Sequence, residues 1–359
     1  MTLKRRWIHA VAAGLVLAGS GMAAATAAPA APGVGPVPGG FRPMSATFVS
    51  ASDGWVLGTA PCAHKPCTSV VRTTDGGSQW VGIPAPRYAL SAFPGGRGLD
   101  RIRFADTRNG FAFGSQLWVT HNGGSSWHHV SQVPGYVDDL ETSAGIVYAA
   151  SEKANKITIY RSPAGRDAWT RVAALPTVSN SFGGLGTITL HGSAGWIILG
   201  SRLYSSRTGA HWTRDSFRCQ GQWGMVSVGA DSARSITLLC VGDAGLGQSE
   251  KKLYVSANGG ATFRHVGPVP SGGDGGVLAE PTSRHLFVAT SSGATWIYVS
   301  DNGGRTWRNA LTLDDGGKGW SDFGFTTASQ GLAVEGTPSM GSALYLTRDA
   351  GRVWLPVHF

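Results

Sequence analysis

One polar hairpin is written into this chain seven times, and that repetition constrains the fold more than any other feature. The clearest copy spans residues 300–307. There Ser300, Asp301 and Asn302 lead into the paired glycines Gly303 and Gly304, then Arg305, Thr306 and Trp307. Glycines accept positive φ without steric cost, and Asp or Asn side chains hydrogen-bond the local backbone, so the stretch reads as a tight turn closed by an aromatic anchor. The copies begin at Thr73, Thr120, Ser162, Ser206, Ser256, Ser300 and Thr347, and close on Trp80, Trp127, Trp169, Trp212, Phe263, Trp307 and Trp354. Successive closing aromatics are 42 to 51 residues apart. Copy three is degenerate, with Ala164 and Arg166 in place of the acid and a glycine, and copy four is one residue short.

Each hairpin follows a strand-like pair such as Leu117-Trp118, Ile159-Tyr160 or Leu344-Tyr345. Upstream lies a first half-unit: an apolar strand, a polar turn, a Gly-aromatic pair and a second apolar strand. Phe48 before Gly54-Trp55, Phe104 before Gly110-Phe111, and Leu190 before Gly195-Trp196 show it best. Each unit therefore holds about four short strands. One four-stranded meander cannot bury both its faces, but seven stacked around an axis can. The expected fold is all-β: a seven-bladed β-propeller of four-stranded antiparallel blades, one hairpin per blade, over residues 44–359. The 53 glycines and the 14% charged residues suit short strands and tight turns better than helices.

Upstream of the repeats, residues 1–27 have the form of a secretory signal peptide. Lys4, Arg5 and Arg6 precede an apolar stretch, and Ala25-Thr26-Ala27 offers a small-residue cleavage site. Residues 28–43 read as a Pro/Gly/Ala-rich linker. Export predicts a secreted, extracellular protein with no membrane span after removal of the leader. The four cysteines then form two disulfides, Cys62–Cys67 and Cys219–Cys240, as the most local pairing. A zinc site from Cys62, His64 and Cys67 is the alternative and lacks a fourth ligand nearby. The formal net charge is +9, falling to +6 without the leader's three basic residues. No run of Lys or Arg marks a nucleic-acid surface, so no nucleic-acid partner is expected.

The hairpins resemble the Asp-box, or BNR repeat, Ser/Thr-x-Asp-x-Gly-x-Thr-Trp. The residues that carry the resemblance are Asp75 and Trp80, Asn122 and Trp127, Asn258 and Phe263, Asn302 and Trp307, and Asp349 and Trp354. It implies that these residues fasten each blade, at the face away from the usual ligand site. Asp-box propellers include sialidases, xyloglucan-degrading glycosidases, sortilin-type receptors and photosystem assembly-factor-like secreted propellers; seven boxes in seven blades are most similar to the last group. Likeness to sialidases would imply three carboxylate-binding arginines, a Tyr-Glu nucleophile pair and an acid Asp. Phe41-Arg42-Pro43 matches part of their Phe-Arg-Ile-Pro segment but lacks the Ile. The leaderless chain holds only Glu141, Glu152, Glu250, Glu280 and Glu335, from which spacing assembles no such cluster.

Functional residues are therefore expected in the non-repeating loops of the opposite face. The candidates are Arg87, Arg97 and Asp100 in the loop 84–100, Asp138 beside Tyr136, Trp223 in 220–223, and Trp320 and Asp322 in 312–322. Aromatics beside Asp and Arg suit a sugar or a peptide chain. Asp138 and Asp139 should point to opposite faces of their strand and so not serve one site. The same alternation separates His128 from His129, beside His121. The expectation is a monomeric scaffold with no catalytic residue, cofactor or metal, binding a protein or carbohydrate; the enzymatic alternative is a sialidase-type glycoside hydrolase. Ring closure is expected from face packing of blades one and seven, not from a strand shared between the termini.

Overall fold

A computed structural model describes residues 34–63, 66–154, 156–175, 187–219 and 224–359. The expected signal peptide, the first part of the expected linker, His64 and Trp223 lie outside the described residues. The described chain forms seven four-stranded antiparallel sheets, each a meander of consecutive strands, arranged as a β-propeller without helices. The inner strands are Arg42–Phe48, Leu99–Phe104, Tyr136–Ser143, Thr187–His191, Gly224–Ala230, Asp274–Ala279 and Trp320–Phe325. Each packs against the inner strands of the neighbouring blades and lines the axis.

The second strands are the most buried. Every residue of Gly110–Gly114, Ala194–Leu199 and Gly331–Glu335 is buried. A strand pressed between two neighbouring blades has no solvent face, so its sequence loses polar alternation and reads as an apolar run. Packing also explains the Gly-aromatic pair. A Cβ on Gly54 would lie 2.5 Å from the Phe48 ring, and one on Gly110 would lie 2.3 Å from Phe104. Glycine at the head of the second strand is the space that the inner strand's last aromatic occupies. The next residue bridges blades: Trp55 stacks on Phe104 at 3.8 Å, and its indole donates to the Gly123 carbonyl in the hairpin of blade two. Trp196 donates likewise to Gly259 in the hairpin of blade five.

Five of the seven hairpins repeat one hydrogen-bond pattern, while in the shortened copy four Ser206 Oγ has no hydrogen-bond partner. In 300–306, the Ser300 hydroxyl donates to Asn302 Oδ1 and accepts from Gly304 N at 2.8 Å, while Asn302 Oδ1 accepts from Arg305 N and Thr306 N. Thr73 with Asp75, and Thr347 with Asp349, repeat it. The residue between these groups sits at positive φ and donates its N–H to the first turn of the same blade, as Gly76 does to Ser52, Gly123 to Arg108 and Gly303 to Arg284. Ala350 does the same to Ser329 at φ 58°, a conformation that favours glycine. The hairpin thus clamps its own blade's other turn. In degenerate copy three the acid's place is taken by Ala164, and Ser162 Oγ instead donates to the Arg166 carbonyl.

Closure follows the expected route among the described residues. Phe41, Ala46, Phe48, Val56 and Val71 of blade one form one core with Leu332, Val334, Leu344 and Leu346 of blade seven. The sheet of blade seven contains only its own four strands. The preceding segment differs from a loose linker running to residue 43. The inner strand begins at Arg42, Phe41 is buried with its ring 4.9 Å from Phe359, and Gly35 exchanges backbone hydrogen bonds with Gly82. Two apolar side chains, Val37 and Phe41, find a core to enter, and that anchors the segment.

Both expected disulfides are present, Cys62–Cys67 and Cys219–Cys240. The first consumes the two thiols that the zinc alternative required. Among the described residues no helix is long and apolar enough to cross a membrane.

Candidate functional site

Inner strands of a propeller bring the same register position of every blade to one channel. Here that position is broken by a repeated β-bulge. The pairing of first and second strands skips Met44, Asp100, Asp138, Val226, the pair Gly275 and Gly276, and Ser321, in blades one, two, three, five, six and seven. A bulge interrupts the two-residue alternation and re-aims the extra side chain. The consequence is a correction: Asp138 and Asp139 do not serve opposite faces. Both line the same axial cavity of about 240 Å³, with Arg101, Arg103, Glu141, Ser321 and Asp322.

Most of the charge in this channel is tied. Arg103 is the hub. Its Nη1 and Nη2 reach Asp322 Oδ2 and Oδ1 at 3.0 and 3.2 Å, and its Nε reaches Glu141 Oε1 at 3.2 Å. Asp322 Oδ2 also accepts from Ser45 Oγ and from Ala46 N at 3.1 Å, which joins blade seven to blade one. Ser45 Oγ in turn accepts from Ile102 N, blade one to blade two. Asp139 Oδ2 accepts from Ile188 N at 2.7 Å, blade three to blade four. Arg101 Nη1 donates to the Ser321 carbonyl. These links sew neighbouring inner strands together where their side chains meet at the axis.

The titration of the acids follows from burial against these partners. Burial disfavours the Asp322 anion, but Arg103 and Arg101 outweigh it and hold the carboxyl below the ordinary range. Burial raises Asp139 despite its hydrogen bond from Ile188, and pushes Glu141 up to about 7 against the pull of Arg103. Asp138 stands apart. Burial, then Glu152, Asp139 and Asp100, push it up to about 8, and neither carboxyl oxygen has a hydrogen-bond partner. Its burial favours the protonated form, and both of its oxygens are uncommitted.

At the channel mouth Asp100 is buried, accepts from Tyr136 OH and from Gly95 N at 2.7 Å, and is raised by its burial. Those bonds fix the long loop 84–98 to the rim. Ser339 Oγ, in the loop after the second strand of blade seven, donates to the Ala92 carbonyl at 3.0 Å. Next to these anchors two large apolar side chains face water, Phe93 at 60% and Met340 at 58% exposure. Arg87 and Arg97 are exposed on the same loop, and neither pairs with an acid among the described residues. Trp320 is half-buried, with its indole donating to the Trp296 carbonyl at 3.1 Å, which sets it in the packing of blades six and seven.

The site as assembled differs from the loop set read from sequence. Arg87, Arg97 and Asp100 belong to the loop-face rim, and Asp138, Trp320 and Asp322 line the channel, where Asp322 also joins neighbouring inner strands and Trp320 also packs between blades six and seven. Arg101, Arg103 and Glu141 were missed. Their signal was present: charged residues at 101 and 103, and at 139 and 141, alternate with Ile102, Phe104 and Leu140. Two-residue alternation in a strand at the axis places charge in the channel.

No protein-family model matches the chain, and no curated protein matches it. Solved structures do. YCF48 from Cyanidioschyzon merolae superposes with a TM-score of 0.61 at 18% identity, covering 89% of this chain and all of that one. A structure of YCF48 bound to D1 peptide gives 0.60 at 17%, covering 88% and 96%. An oligogalacturonate lyase in complex with manganese gives 0.55 at 12%, covering 82% and 86%. At these identities the likeness establishes the class, a single-ring β-propeller. Both a peptide-binding protein and an enzyme share that architecture.

Proposed function

We propose that this protein is an exported, non-catalytic Asp-box propeller that binds an extended protein segment across its loop face, over the mouth of the axial channel. One observation carries the reading: the rim presents Phe93 and Met340 to solvent beside the unpaired Arg87 and Arg97, while in the channel below Arg103 is committed to Asp322 and Glu141. Exposed aromatic and thioether groups next to arginine are the composition of a protein-recognition surface. The two arginines select a segment with acidic residues, and Asp138 offers a carboxylic acid that can donate to a backbone carbonyl entering the channel. Two disulfides fit an oxidising compartment, in keeping with the leader-like residues 1–27. Likeness to a propeller solved with a peptide supports the same reading.

A sialidase-type glycosidase is the second reading. It draws on the raised carboxyls of Asp138 and Glu141 beside two arginines, since a raised carboxyl is a general-acid property. Against it, Tyr136 donates to Asp100 instead of a glutamate, and Arg103 is held by two acids.

Selection of a phage-displayed 15-residue peptide library on the leaderless protein separates the two. The scaffold reading predicts enriched acidic sequences, and a synthetic peptide that binds at least 10-fold more weakly to the double variants R87E/R97E and F93A/M340A. Enrichment of nothing, or of peptides indifferent to both variants, refutes the surface. Hydrolysis of a fluorogenic sialoside that disappears in Asp138→Asn establishes the glycosidase instead.

A further inference from the structure

The hairpin face holds a side-chain cluster that the scaffold reading does not use. His121 lies in the hairpin of blade two and His128 directly follows it, and Asp167 lies in the degenerate hairpin of blade three. One donor atom from each lies within 4.8 Å of the others. His128 Nε2 is 2.6 Å from Asp167 Oδ2, and His121 Nε2 is 3.4 Å from Asp167 Oδ1. We propose that His121, His128 and Asp167 form a divalent metal site, of the His₂-carboxylate type suited to Zn²⁺, that joins blades two and three.

The tautomer of His121 is the decisive detail. Asn109 donates its amide Nδ2 to Asp106 Oδ2 at 2.8 Å, which leaves its carbonyl Oδ1 facing the imidazole. His121 Nδ1 is 2.7 Å from that oxygen and must therefore be the protonated nitrogen. With Nδ1 holding its proton, Nε2 is the ring nitrogen left to face Asp167 Oδ1. Both atoms are screened from solvent, and neither has a hydrogen-bond partner. Two acceptors facing each other at 3.4 Å are both satisfied by a cation between them. Asn109 with Asp106 is the outer support that a metal-ligating histidine uses, a carbonyl that takes its other N–H and fixes the ring.

The dimensions fit after a small adjustment. Zinc bonds nitrogen and oxygen at about 2.0–2.2 Å, so tetrahedral ligand atoms sit about 3.3 Å apart. The His121–Asp167 separation already matches, while the 2.6 Å His128–Asp167 contact opens as Nε2 exchanges its proton for the metal. His128 is half exposed, which leaves an entry path and a fourth position for water. Arg108 is the nearby opposing cation, with Nε 3.5 Å from the His121 carbonyl, and Asp106 lies close enough to accept from Arg108 N. The cluster also accounts for a departure from the repeat. Copy three lacks the acid that fastens the other hairpins from within, and it instead extends Asp167 to its neighbour. His129 is excluded, since its ring lies against Trp118.

The test uses the untagged leaderless protein stripped with chelator and titrated with ZnCl₂ against a chromophoric competitor. One Zn²⁺ per chain is expected, with affinity reduced at least 10-fold by His128→Ala and by Asp167→Asn. Asn109→Ala should weaken it about 10-fold through loss of orientation, and His129→Ala should leave it unchanged. Thermal unfolding of each variant with chelator checks that the fold survives. Absence of stoichiometric binding overturns the proposal, as does binding indifferent to His128→Ala and Asp167→Asn, or equally weakened by His129→Ala.

Discussion

Asp138→Asn isolates the one carboxyl in the channel that nothing neutralises. In the folded protein this acid is pushed from 3.8 to about 8, chiefly by burial. The sign follows from proton counting. Between pH 4 and pH 8 the folded chain keeps this proton and the unfolded chain releases it, so stability is full below the unfolded value and falls as pH rises to about 8. The slope is at most about 1.4 kcal/mol per pH unit. Four units set a ceiling of roughly 5–6 kcal/mol. Water entering from the channel mouth and relaxation of the bulge bring the expected loss to about 2–3 kcal/mol. Asparagine keeps the shape and cannot ionise. The variant should match the parent within about 1 kcal/mol at pH 5 and exceed it by about 2–3 kcal/mol at pH 9. Urea unfolding of both proteins at each pH unit from 5 to 9 measures this directly. Glu141 and Glu280, also raised by burial, titrate in both proteins and cancel in the difference. Parallel stability curves across that range would refute a buried, uncommitted Asp138.

Arg103→Met should cost about 3–5 kcal/mol at pH 7, because it strands Asp322 and Glu141 without their cation; urea unfolding reads it, and adding Asp322→Asn should recover part of the loss, whereas additive losses would contradict the shared pair. The two disulfides should differ: replacing Cys219 and Cys240 by Ser, with a separation of 21 residues, should cost about 3 kcal/mol, and replacing Cys62 and Cys67, with a separation of 5, about 2 kcal/mol. Equal midpoints in thermal unfolding would remove loop length as the reason.

The blade count was legible because each unit must solve the same local problem. A turn that needs positive φ at two successive residues, a side-chain oxygen just before them and an aromatic after them leaves the same letters each time, as in Thr73 to Trp80 and Thr347 to Trp354. Gly54-Trp55 and Gly110-Phe111 were legible for a related reason: a glycine that yields its space to a neighbouring ring cannot be varied cheaply. Cys62 and Cys67 pair as their spacing suggests. The channel was not legible in the same way. Whether Asp138 follows the alternation of its strand depends on a bulge, and bulges are set by how two strands register against a third body, not by the letters of either strand.

The sequence by itself determined the ring: seven units, four strands in each, and a hairpin closing every blade. These depend on contacts close in sequence or repeated at a fixed period, so every copy reports them. Only the tertiary structure decided which charges meet. Arg103 finds Asp322 across 219 residues, and Asp139 finds Ile188 across 49. Asp167 comes to His121 and His128 from the hairpin of the next blade. A circular fold brings distant residues together around one axis, and that convergence turns scattered acids and arginines into a channel.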